Sequence, residues 1–447
     1  MSRSQVLEPN GQDLEVPSQV ADSYERLLVG LGACWFLIIL SDLYFGRDFI
    51  KAISFQVQDP TWMPENVGPS RALVGIHHFG DFQIWLGYAA LNNPLASFVK
   101  FPPQSPPQLL WFFKSLLRLG FEPLFGIPRV LFGFWLISFG TWFQALKQYF
   151  LELHLSKREI RLFAASSVLS APFIVTFDRG SLQFLVIGTS LLYVHFCNRR
   201  RSTFAVILFV IAVSLKPYCA VLLLWPTSQK QYKITIANIL AAGTTTVISL
   251  WCIPGSIQVA AKSFAKALAG HVTGEGMSFL NDSVSAPASI WKLINILHIE
   301  PARRAIEHNS GLLLLGIGIV TCVAAAIIIF SPQTSRQLAL IVILACTQLV
   351  LPLSGLYTPL WAVAILPLLI RQIEFQIRGK RNLEIMSNLS SSLFSFFGIV
   401  SLLPIPGTIH VGDYIFRLTA LIAPLGMTLM LFPLAICQAI EWKQRGQ

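Results

Sequence analysis

Between Gly75 and Ala90 the chain reads Gly-Ile-His-His-Phe-Gly-Asp-Phe-Gln-Ile-Trp-Leu-Gly-Tyr-Ala-Ala. One carboxylate, Asp81, follows two imidazoles, His77 and His78, and Phe79, Phe82, Trp85 and Tyr88 flank it. A carboxylate in a partly dry cleft can take a proton from an attacking hydroxyl, so Asp81 is the best candidate base. His77 and His78 are placed to tune it or to bind a phosphate, and each also reads plainly as an interfacial histidine. The plainer reading of Asp81 is a solvated residue capping a short helix that starts at Phe82.

Two cations stand where apolar runs stop. Arg179 lies in Asp178-Arg179-Gly180-Ser181, and Lys216 in Lys216-Pro217-Tyr218. A charge at membrane depth is costly and usually faces a cavity or a partner. Arg179 has the simple alternative of pairing with Asp178 at a helix end, and Lys216 that of snorkelling to the surface. Two such cations facing one side suit a lipid-linked phosphate, which takes charge-assisted hydrogen bonds. Further on, Asn281-Asp282-Ser283 followed by Pro287 to Trp291 reads as a polar turn entering a helix, most simply a cap. The same three residues match the N-glycosylation pattern.

What must position these groups is a membrane. Of 447 residues 54% are hydrophobic and only 12% charged, against about 25% charged in a soluble domain. Mean hydropathy is +0.62, and apolar runs near span length recur throughout. The fold class expected is an all-α polytopic integral membrane protein rather than a barrel, whose segments would be short and alternating. The net charge of +11 fits cytoplasmic loops rich in Lys and Arg, with no nucleic-acid partner implied. The seven cysteines lie in or beside apolar runs without a C-x-x-C pair and read as core residues. Residues 1–26 read as a cytoplasmic polar tail without the basic start of a cleavable signal, and residues 27–447 as one transmembrane domain.

Spans are expected at about 27–45, 130–149, 162–177, 182–197, 234–253, 312–330, 338–351, 360–370, 393–403 and 415–440. The stretch 203–225 has basic residues on both sides and is broken at Lys216-Pro217. A re-entrant pair of half-helices keeps both flanks on one side, and broken helices are tolerated where they line a cavity. With the N-terminus inside, the basic segments at 157–161, 199–201, 230–233, 336, 371–381 and 443–445 all fall inside. Two long loops, 46–128 and 254–309, then fall outside. Asp81, Asp178, Arg179, the Asn281 loop and Tyr357 share that extracytoplasmic face. Residues 108–119 read as an amphipathic helix on the membrane, with Lys114 and Arg118 at its surface.

Several chemistries are missing. There is no P-loop, no H-E-x-x-H zinc site and no D-x-D motif. Acidic residues on the outer face are few, which does not suit a metal-dependent nucleotide-sugar site. No metal or cofactor is called for.

These features, in this order, resemble the polyprenyl-phosphate-dependent GT-C glycosyltransferases, most closely glycosyltransferase family 87, which includes mannosyltransferases. Gly80-Asp81-Phe82 with Tyr88-Ala89-Ala90 is similar to the family's first-loop motif, whose Asp is the proposed base. Asn93-Pro94 through Pro102-Pro103 resembles the proline-rich stretch that follows. Asp178-Arg179-Gly180-Ser181 resembles an acidic-R-G-N motif, with Ser181 where Asn is usual. Lys216-Pro217-Tyr218 resembles the family's Lys-Pro break, and Asn281 to Ile290 its N-x-S loop. Ser354-Gly355-Leu356-Tyr357-Thr358 stands where the family carries a histidine, so Tyr357, His77 or His78 would have to relay the proton or orient substrate, or the activity differs.

The resemblance covers roughly 27–370. It implies a GT-C-type helical bundle of about ten spans, a re-entrant pair and two long outer loops, in a bacterial plasma membrane. It also implies transfer of a sugar, mannose by default, from a polyprenyl-phosphate-linked donor to a lipid or glycan hydroxyl. Asp81 would act as base and Arg179 and Lys216 as phosphate ligands. His77, His78, Tyr88, Asp178, Asn281, Ser283 and Tyr357 would bind substrate or relay protons. The competing expectations are a transporter or flippase of lipid-linked sugars, and a non-catalytic cell-envelope scaffold. A transporter would be expected to show internal repeats, and no clear pair of halves is seen.

Overall fold

A computed structural model describes residues 16–45, 80–91, 107–253, 257–273, 283–308, 310–350, 358–374, 382–405, 408–411, 414–418 and 420–446. Helix dominates them. In chain order they are α1 (Val16–Phe45), α2 (Gly80–Ala90), α3 (Pro107–Leu117), a small hairpin of β1 (Pro123–Leu124) and β2 (Ile127–Pro128), α4 (Arg129–Leu153), α5 (Lys157–Leu169), α6 (Ala171–Arg179), α7 (Gln183–Asn198) and α8 (Ser202–Leu215). A 3-10 segment (Pro217–Leu223) then leads to α9 (Leu224–Ser228), α10 (Tyr232–Trp251), α11 (Ile257–Thr273), α12 (Ala286–Ile296), α13 (Glu300–His308), α14 (Ser310–Phe330) and α15 (Arg336–Leu349). Last come α16 (Leu360–Ala364), α17 (Leu366–Glu374), α18 (Asn382–Val400), the hairpin β3 (Thr408–Val411) and β4 (Tyr414–Arg417), and α19 (Ile422–Gly446). The protein is an all-α polytopic membrane protein.

Among the described residues, five helices are singly long and apolar enough to cross a bilayer, within α4, α10, α14, α18 and α19. Several of the other apolar runs are short or jointed. α5 and α6 form one such pair, bent by 61°. The joint is chemical: Ser170 is extended (φ −74, ψ 142) and Pro172 stands in the first turn of α6, where its missing N–H costs nothing. The run at 360–370 is likewise two short helices, α16 and α17. The run read as starting at 415 begins instead in the hairpin, with Val411 paired to Tyr414 and Thr408 to Arg417.

α7 lies at the centre. Almost every residue from Gln183 to Cys197 is buried, which is how a helix apolar on all sides must sit. It packs on α4 and α8. A Cβ on Gly188 would stand 3.1 Å from the backbone of Thr141 and Trp142, so glycine permits the close approach of α4 and α7.

The segment after α7 doubles back. α8 descends fourteen residues, about 21 Å at the α-helical rise. The 3-10 segment, with its steeper rise, and α9 together bring the chain back over about the same distance in fewer residues. The return is pinned beside the place where it began. Trp225 Nε1 and Gln229 Nε2 both donate to Asn198 Oδ1 at 3.1 Å, and Gln231 Nε2 donates to the Cys197 carbonyl at 3.3 Å. Both ends therefore meet beside the basic turn Arg199–Arg201, as the re-entrant expectation required, and Lys216-Pro217 forms the far tip.

The amphipathic helix expected at 108–119 is α3. It buries Leu109, Leu110, Phe113 and Leu116, while Lys114 and Arg118 are exposed. The Lys114 ammonium lies 5.4 Å from the centre of the Trp111 ring, a cation–π contact.

Candidate active site

The site begins with the way α6 ends. Gly180 takes the left-handed conformation (φ 61, ψ 36). The Gly180 N–H donates to the Phe177 carbonyl at 3.1 Å, and the Ser181 N–H to the Thr176 carbonyl at 3.0 Å. Those two bonds are a Schellman cap, which favours glycine at this position. They fix Arg179 as the last helical residue. Phe177, two residues earlier, stacks on Trp135 of α4 with centroids 4.9 Å apart, so the end of α6 is held by packing as well.

α2 brings the carboxylate. Asp81 lies in its first turn, where a helix favours negative charge. The aromatic residues around it are anchors: Phe82 is buried against Phe134 at 4.9 Å and Phe113 at 5.8 Å, and Trp85 stacks on Phe113 at 6.1 Å. So α2 is pressed onto α3 and α4, and Asp81 faces α6.

There the two charges meet. Arg179 donates to Asp81 Oδ1 twice, from Nε at 3.0 Å and from a terminal nitrogen at 2.6 Å, across 98 residues of sequence. Side-chain exposure is 16% for Asp81 and 21% for Arg179. This overturns the plainer reading of Asp81 as a solvated cap. For a pair this buried, removing one partner strands the other, at a cost of about 3–5 kcal/mol.

Lys216 completes the charge cluster. It is half-buried and extended (φ −147, ψ 119) at the junction of α8 and the 3-10 segment. The charges of both Asp81 and Arg179 act on it. Two residues on, the Tyr218 hydroxyl donates to Gln183 Oε1 at 3.1 Å. Gln183 opens α7, four residues after Arg179, and is buried. Sequence reasoning did not single out Gln183. Its signal was slight: one amide at the head of an apolar run.

Tyr88 lies two turns beyond Asp81 on the same face of α2, about 10 Å along the axis. It packs with Trp85 at 5.7 Å and against the cluster of Leu110, Leu250, Ile253 and Ala260. Burial pushes its phenol pKa up, so it stays a protonated donor at neutral pH. Ser283 is buried on the flank of the site. Its hydroxyl shares a 3.2 Å hydrogen bond with Ser285, which caps α12 by accepting from the Ala288 N–H. Its neighbour Val284 packs with Ala171 and Val175 of α6. His77, His78, Asn281 and Tyr357 lie outside the described residues, as does the side chain of Asp178.

A second polar group braces this flank. Lys292 is fully buried and donates to the carbonyls of Ser283 at 2.6 Å and Ala420 at 2.7 Å. Gln348 Nε2 donates to the Val284 carbonyl, and Trp361 Nε1 to Gln348 Oε1, each at 2.7 Å. These bonds tie α12 to α15, α16 and the start of α19. Sequence reasoning passed over Lys292, although a lone lysine in an apolar helix is the same signal that drew attention to Lys216.

Fold and site together define a multi-pass membrane protein with a half-buried acid–cation cluster, suited to a group that carries negative charge. The sequence model of glycosyltransferase family 87 matches residues 106–354. That is more than half of the chain, and the chain belongs to glycosyltransferase family 87: it is a membrane glycosyltransferase. The matched region contains Arg179, Gln183, Lys216 and Tyr218, while Asp81 precedes it. No curated protein and no solved structure matches the chain.

Proposed function

We propose that this protein moves a sugar from a polyprenyl-phosphate-linked donor to a hydroxyl of a lipid or glycan acceptor, on the extracytoplasmic face. The observation that carries the reading is the Asp81–Arg179 pair with Lys216 in electrostatic reach. One carboxylate and two cations are the set that an inverting displacement from a phosphate ester needs. Mannose is the default sugar by resemblance alone, and the GT-C architecture rests on the same resemblance.

The steps balance as a single displacement. The donor phosphate takes Arg179 and Lys216, and in doing so draws Arg179 off Asp81. Asp81 then accepts the proton of the acceptor hydroxyl as its oxygen bonds to the anomeric carbon. The bond from that carbon to the phosphate oxygen breaks, and the sugar is left inverted. Polyprenyl phosphate leaves with the extra negative charge, held by fixed cations in a site with little water. The placement of the site supports the face assigned. Lys216 is the tip of a hairpin whose base lies at Arg199–Arg201, and basic turns mark the cytoplasmic side.

The test is sugar transfer by the purified chain in nanodiscs. Labelled polyprenyl-phospho-sugars serve as donors and host lipid extract as acceptor, with chelator present throughout. A labelled product that depends on the lipid-linked donor is expected. Donor binding with no transfer from any donor would overturn the reading in favour of translocation.

A further inference from the structure

We propose that Gln183 and Tyr218 form a latch that sets the spacing of the two phosphate-binding cations, which makes them a positioning pair for the donor. The inference rests on the reading of Arg179 and Lys216 as phosphate ligands and names what holds them in register. The two cations come from chain segments with no covalent reason to stay together. Arg179 ends α6, and Lys216 stands at the tip of the doubled-back segment. The Tyr218 hydroxyl reaches Gln183 Oε1 at 3.1 Å between those segments. Each partner lies close to one cation. Gln183 follows Arg179 through the capped turn Gly180-Ser181-Leu182, and Tyr218 follows Lys216 through Pro217, whose ring fixes the backbone angle between them.

The surroundings make this bond matter. Gln183 is 1% exposed, so water does not readily replace a lost partner, and an unmade bond at a buried amide costs more than a net hydrogen bond returns. Backbone bonds hold Lys216 on its own arm, its N–H donating to the Ala212 carbonyl at 2.9 Å and its carbonyl accepting from the Cys219 N–H at 3.1 Å. Packing of the buried Cys219 and Leu222 also holds the segment. To this the latch adds a directional bond from the tip to the head of α7, beside both cations.

Tyr218→Phe, Gln183→Leu and the double variant test the latch, with the full chain in nanodiscs and Lys216→Ala as control. Each single variant is expected to raise the donor KM about fivefold to tenfold, the size of one hydrogen bond of roughly 1–1.4 kcal/mol. The kcat and the acceptor KM should stay within about twofold. The double variant should match the singles, since both remove the same bond. A merely structural bond would lower the unfolding temperature and leave the donor KM alone; that result, or effects that multiply in the double variant, overturns the latch. Should Gln183→Leu fail to fold, Tyr218→Phe, which removes one oxygen, decides by donor KM alone. If Lys216→Ala also leaves the donor KM unchanged, it is the phosphate-site reading that fails.

Discussion

α7 and α8 end in positive charge twice, and the two ends behave differently. At the basic turn, Arg199, Arg200 and Arg201 are exposed, and among the described residues none of the three pairs with a carboxylate. Uncharged groups hold that end, with Asn198 joining Trp225 and Gln229. At the other end Arg179 is mostly buried and bound to a carboxylate 98 residues away. Lys216, on which the charges of that pair act, is half-buried. Exposed arginines near a membrane cost little and orient the chain. A half-buried cation is expensive, and a folded chain keeps it where a partner or a ligand offsets the cost. Burial and long-range pairing, not the number of charges, separate the site from the anchor.

The largest expected effect breaks the site end. Asp81→Asn keeps the side-chain shape and an amide oxygen for Arg179, removes the proton acceptor, and lowers stability by up to about 3–5 kcal/mol because Arg179 loses its counter-charge. Transfer should fall by about 10²–10⁴-fold, while donor binding persists. Single-turnover transfer beside donor binding checks it, and a variant as active as the parent would remove Asp81 from the base role. Lys216→Ala comes next. Loss of a charge-assisted hydrogen bond of about 1.5–3 kcal/mol should raise the donor KM by roughly ten- to a hundredfold, with much less effect on the acceptor KM. Equal effects on both would count against a phosphate contact.

How much of this was legible follows the range of the interactions. Asp81, Arg179 and Lys216 were readable one at a time, because a charge bordering an apolar run stands out locally. The doubled-back segment was readable from its two basic flanks. The Asp81–Arg179 pair was not, since nothing in sequence spacing links residues 98 apart. Gln183, Lys292 and Gln348 were hidden for a related reason: each is one polar residue in a run that reads as core, and its partner lies far off in sequence or on the backbone. The joint at Ser170 left a proline as its signal, yet continuous hydropathy masked it. The hairpin at Thr408–Arg417 was masked in the same way, because its second strand reads on into the apolar run of α19.

A smaller effect sharpens the contrast at the anchoring end. Asn198→Ala removes the acceptor shared by Trp225 and Gln229. The indole N–H is part-buried, so the expected loss is about 1–2 kcal/mol of stability, read by thermal unfolding in detergent. The donor KM should stay within about twofold. A donor defect as large as that of Lys216→Ala would mean that the base of the hairpin moves the tip, and the two ends would no longer be separable.

The smallest expected effect comes from the exposed arginines themselves. Arg199→Gln with Arg201→Gln leaves the hydrogen bonds at Asn198 and the cations at the tip in place. Surface substitutions of this kind change stability by about 0.5 kcal/mol or less. Screening by salt over about 8 Å leaves little field from the basic turn at a site roughly 20 Å away. Transfer rate and donor KM of the purified protein should therefore match the parent within about twofold at physiological salt. A donor KM that rises in this variant, and rises more at low salt, would show the donor phosphate meeting the basic end, and the assignment of the two ends would have to be exchanged.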